Sequence, residues 1–131
     1  MEIPDRVSRF VRDRRRPGSP RRVLFLRQGH FLEEECLGAL QTLGLCLQEF
    51  PVDQDDEGPG ISRIIAAVAE FLPDFLFSLN YIGFDQAGGL TSFLERSRLP
   101  GATWFVGNPE MIIRACPENV SEWVAVFAQD Q

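Results

Sequence analysis

The sequence predicts an α/β fold: one parallel sheet of five strands with helices packed against it. Three observations carry that prediction. From residue 22 to residue 128, short β-rich runs alternate with segments of helical apolar spacing. The run Phe75–Leu79 (FLFSL) is almost continuously apolar, as expected of a central parallel strand covered on both faces. The 131 residues are 44% hydrophobic and 24% charged, the composition of a single globular domain and not of a disordered chain.

The chain opens with a basic arm. Residues 1–22 hold eight arginines and three acids, a net of +5. Residues 23–131 hold five arginines and sixteen acids, a net of −11, which together make the chain's −6. Ile3, Val7, Phe10 and Val11 recur at the spacing of one helical face, and Pro17, Gly18 and Pro20 break it. An amphipathic arm and hinge are therefore expected over residues 1–21, and a globular domain over residues 22–131. Such an arm is solvated, packed on the acidic body, or a surface for anionic lipid. The acidic body argues against nucleic acid, because it repels a phosphate backbone.

The elements of the body follow in order. Arg22–Arg27 (RVLFLR) reads as the first strand. Leu32, Cys36, Leu40 and Leu43 mark a helix, with Glu33, Glu34 and Glu35 in its first turn, where the dipole favours negative charge, and Gly44 as its cap. Leu45–Val52 is the second strand, and the Asp/Gly/Pro cluster from Asp53 to Gly60 a surface loop. Ile61, Ile64, Ile65, Val68 and Leu72 mark the second helix, stopped by Pro73. After Phe75–Leu79, Leu90, Phe93 and Leu94 mark a third helix that ends near Pro100-Gly101. Ala102–Val106 (ATWFV) is the fourth strand. Asn108-Pro109-Glu110 starts a short helix running to Cys116. Trp123–Ala128 (WVAVFA) is the fifth strand. Right-handed crossovers then give a Rossmann-like three-layer sandwich with an expected strand order of 3-2-1-4-5.

Several chemistries are excluded. All 13 positive charges are arginine, and without lysine there is no Walker-type phosphate loop, lysine Schiff base or lysine base. The first loop, QGHFLEEE, carries one glycine and not G-x-G-x-x-G, so no dinucleotide cofactor is expected. Cys36, Cys46, Cys116 and His30 lack the spacing of zinc ligands. Three scattered cysteines read as reduced, buried thiols of a cytoplasmic protein. There is no G-x-S-x-G elbow. The longest uncharged run, Cys36–Gln48, is 13 residues, too short to cross a membrane as a helix, and no signal-peptide core follows the arginine-rich start. Neither a metal nor a cofactor is implied.

In such a sheet, ligands bind beyond the carboxyl ends of the strands at the switch point, expected here between strands 1 and 4. That places Gln28, Gly29 and His30 after strand 1, and Asn80, Tyr81, Gly83 and Asp85 after strand 3. Gly107 and Asn108 follow strand 4, at the start of a short helix whose N-terminus is suited to hold an anion. His30, the one histidine, and Asp85 are the candidate general bases. Each also has a purely structural reading, His30 as a helix starter and Asp85 as a cap. Asn80, ending a buried strand, needs partners from adjoining loops or from a ligand. Tyr81 reads as core more than as a platform for a sugar.

The stretches PDFLFSLNYIGFD (Pro73–Asp85), FLERSRLP (Phe93–Pro100) and ATWFVGNPEMII (Ala102–Ile113) together resemble the N-terminal domain of CgeB-like bacterial glycosyltransferases. The first strand and helix fit the same pattern less specifically, so the resemblance spans residues 22–131. It implies the GT-B arrangement of two Rossmann-like halves, with the acceptor on the N-terminal half and a nucleotide-sugar on the C-terminal half. This chain then corresponds to the acceptor half, inactive alone, with the C-terminal nucleotide-sugar domain as its partner and a sugar or glycan as its ligand. The family carries an acidic residue where this sequence has Gly107, so that carboxylate is missing here. Alternatives are a non-catalytic interaction module and a stand-alone nucleotide-binding domain. Strand 5 is apolar on both faces, and the expected chain end follows it directly. Self-association near strand 5, or cover by the arm through Ile3, Val7, Phe10 and Val11, is expected.

Overall fold

The computed structural model describes residues 3–13, 21–52, 59–106, 110, 113–114 and 117–128. The elements run α1 (Asp5–Asp13), β1 (Arg22–Arg27), α2 (Glu33–Thr42), β2 (Cys46–Pro51), α3 (Pro59–Phe71), β3 (Phe75–Leu79), α4 (Gly89–Ser97), β4 (Gly101–Phe105), the 3-10 turn η1 (Pro117–Asn119) and β5 (Val124–Ala128). All five strands are parallel. The sandwich is therefore the α/β, Rossmann-like architecture expected, but its strand order is not.

The order is β2-β1-β3-β4-β5, and not 3-2-1-4-5. The reason lies in the two strands that exchange places. β3 is FLFSL, with Leu76, Ser78 and Leu79 buried, and a strand so apolar is stable only between neighbours. β2 is CLQEFP, with Gln48, Glu49 and Pro51 exposed, which suits an edge. Placing β3 outside β2 would have exposed the first and buried the second.

The pleat sorts the core into two clusters. Leu24, Leu26, Leu76, Phe105 and Val124 face α3 and α4, packing with Ile64, Val68, Leu90, Phe93 and Leu94. Phe25 and Leu79 face the other side, where Cys36 of α2 meets them, with Phe77 and Trp104 packed around. Phe25 and Phe77 touch edge to face, with ring centroids 5.3 Å apart. The arm is not a free extension. Val7 is 1% exposed, and Ile3 and Val11 pack against the same cluster, so α1 lies on α3 and α4. Among the described residues, the arm leaves Ala125–Ala128 of strand 5 exposed. Only Val124 of β5 is buried, and Phe127 is 56% exposed.

Glu110, Ile113 and Arg114 are helical, in line with the expected short helix, and Arg114 pairs with Glu110 at 2.6 Å across one turn. Gly107, Asn108 and Cys116 lie outside the described residues. Among the described residues, no helix is long and apolar enough to cross a membrane.

Candidate functional site

The switch point falls between β1 and β3, because the chain leaves β1 toward β2 and leaves β3 toward β4. A crevice of about 540 Å³ opens there. One wall is Gln28, following β1, with Phe50, Pro51 and Val52 at the end of β2. The first turns of α3 supply Gly60, Ile61, Arg63 and Ile64, and the loop Asn80–Ala87 closes the other side. The Arg63 guanidinium stands over the Phe50 ring, 5.9 Å from its centroid.

The β1–α2 loop holds an anion of the protein's own. The Glu33 carboxylate is fully buried and accepts the N–H of Gln28 at 2.9 Å, the N–H of Gly29 at 3.0 Å and Arg27 Nε at 3.2 Å. Burial pushes this carboxyl up, but the backbone hydrogen bonds of Gln28 and Gly29, then Arg27, outweigh it and hold the group below its ordinary value. Arg27 is also paired with Glu34 and Glu49. Two consecutive amides converging on one carboxylate make the cradle that binds phosphate in other loops of this position. Here it is filled.

The loop after β3 is held in a strained conformation. Asn80 and Tyr81 have φ of 51° and 58°, unusual for residues with a side chain. Buried hydrogen bonds sustain them. Asn80 Oδ1 accepts the Val106 N–H at 2.8 Å, and Thr103 Oγ1 accepts the Tyr81 N–H at 3.0 Å. Tyr81 is buried between Phe84 and Phe105. Gly83 has φ +91°, and a Cβ there would lie 2.7 Å from Leu26 Cδ1. Asn119 of η1 fastens the loop from behind: its Nδ2 donates to Asp85 O at 3.0 Å, and Thr91 Oγ1 donates to its Oδ1 at 2.7 Å.

The expected site residues therefore divide. Gln28, Asn80, Tyr81, Gly83 and Asp85 meet at the crevice. Gly29 lines a smaller neighbouring hollow with Arg27, Glu33 and Glu49. His30 lines neither. Its Nδ1 accepts the Leu32 N–H at 3.1 Å and its ring stacks on Phe31, so it starts α2. Both Asp85 oxygens accept helix amides, from Gly89 at 2.9 Å and Leu90 at 3.0 Å, which makes it the cap of α4. Asn80 finds its partner in a loop of the protein. The walls from β2 and α3, and the buried Glu33, are not apparent from the sequence. The expected strand order kept β1 and β3 apart, and so hid the β2 and α3 walls. Cys36 is buried, with its thiol raised by desolvation and then by Glu35 and Glu33, and Cys46 is half-buried. Among the described residues, no three His, Cys, Asp or Glu side chains gather as metal ligands would.

Fold and crevice define a doubly wound parallel α/β domain with a crevice at the β1/β3 switch point. Compared with protein-family models and with curated proteins, the chain matches none.

Proposed function

We propose that this chain is the acceptor-side domain of a bacterial, cytoplasmic glycosyltransferase-like protein, binding a sugar or glycan acceptor in the β1/β3 crevice and transferring no sugar alone. The observation that carries the reading is the filled cradle. The amides that a nucleotide's phosphate needs are taken by Glu33, whereas the crevice beside them stays open. Gln28, Arg63 and Asp85 set polar groups beside the apolar walls of Phe50 and Ile61, a combination suited to a polyhydroxylated ligand. The nucleotide-sugar then belongs to a second domain, as the sequence resemblance implies, and Gly107 in place of an acid supports the lack of activity in this half. Amide NMR and calorimetry with oligosaccharides and nucleotide-sugars test this. Glycans should shift Gln28, Gly83 and Gln86, and nucleotide-sugars should bind more weakly than micromolar. A nucleotide-sugar bound at about −8 kcal/mol or better overturns the reading.

A second reading, an interaction module that pairs with another copy of itself, is favoured by β5. That edge strand, VAVFA, has neither charge nor proline and exposes Val126 and Phe127.

A further inference from the structure

α1 has two opposite faces, and the fold uses only one. Val7 is buried against α3 and α4, with Ile3 and Val11 beside it. Arg6, Arg9 and Arg12, spaced by three, form a single exposed row on the other face. Among the described residues none of the three has an acidic partner, although residues 23–131 carry a net −11. Arg96 and Arg98, exposed at the end of α4, add to this layer, against the exposed acids Asp5, Glu70 and Glu95, with Glu118 beside Gly88 at the other end of α4. The exposed acids Glu34, Glu35 and Glu49 belong to the α2 side of the sheet. The sheet lies between these acids and the arginines. Asp5, four residues before Arg9, shares this outer face, but three guanidinium groups outnumber it among the described side chains, and guanidinium is the side chain best matched to phosphate.

We infer that the outer face of α1 docks this protein on anionic phospholipid bilayers. The apolar face of α1 is committed to the core, so the contact is electrostatic and does not involve insertion. Nucleic acid suits the surface less well. Among the described residues, none of the large exposed hydrophobic side chains lies on α1, α3 or α4 to offer bases a stacking platform. The inference does not depend on what the crevice binds.

Co-sedimentation of the full chain with phosphatidylcholine vesicles, with and without about a third phosphatidylglycerol, tests it. Binding should require the anionic lipid, weaken steeply with salt, and fall on the order of a hundredfold in R6Q/R9Q/R12Q. The charge-preserving R6K/R9K/R12K should stay within about tenfold of wild type, and E34Q/E35Q on the opposite side should not lose binding. Equal binding to neutral vesicles, undiminished binding by the Gln variant, or tighter binding to a duplex oligonucleotide than to vesicles overturns the inference.

Discussion

Glu33 carries a negative charge where no water reaches it, and three donors make that stable. Its pKa is lower in the folded than in the unfolded chain, so its contribution to stability is whole above about pH 4.3 and is lost as the pH falls through the folded value. Glu33→Gln should cost about 2–3 kcal/mol in urea unfolding at pH 7, with the gap to wild type closing below about pH 4. A gap that stays constant to low pH would show that the charge is not what stabilises the loop. Gly83→Ala combines an unfavourable φ with a Cβ 2.7 Å from Leu26 and should lower stability by about 1–3 kcal/mol. The two loops differ in how much single residues reveal. A capping role for Asp85 is legible from its place before an apolar helical run. Burial of Glu33 is not, because three successive glutamates look alike until the fold turns one inward.

Among the elements, α1 precedes the sheet in sequence and packs on α3 and α4 through Val7. Val7→Asp places an unpaired carboxylate at a site 1% exposed. It should free the arm, seen as loss of amide-exchange protection over residues 5–13, while β1 and β3 stay protected. For β5, Phe127→Lys puts a charge on the bare edge; light scattering should show the wild-type chain associating and the variant monomeric. A monomeric wild type would remove the second functional reading. The elements themselves were legible: β1 and β3 match their apolar runs residue for residue, and the other strands fall within one residue of theirs. Their order was not read from those runs, although the information was there. FLFSL requires neighbours on both sides, whereas CLQEFP carries Gln48, Glu49 and Pro51, and handedness alone accepts either arrangement.

At the scale of the whole molecule, the arginine row and the crevice are separated. Arg6, Arg9 and Arg12 lie on the outer face of α1, and the crevice opens at the carboxyl end of the sheet. With the Gln28 and Gly29 amides taken by Glu33, the protein should gain less than about 1 °C in Tm from millimolar phosphate or nucleotide, measured by thermal shift. Half of the crevice was legible in advance, namely the loop after β3 and Gln28. The other half, from β2 and α3, depended on β1 and β3 being neighbours. The two borders of the sheet differ in the same way. β2 is closed to further strands by Glu49 and Pro51, and β5 is open. If two copies join through β5, each brings its closed border to the outside, and nothing remains to recruit a third. Growth by this route halts at a two-fold pair, so the same edge that invites association also protects the protein from forming fibres.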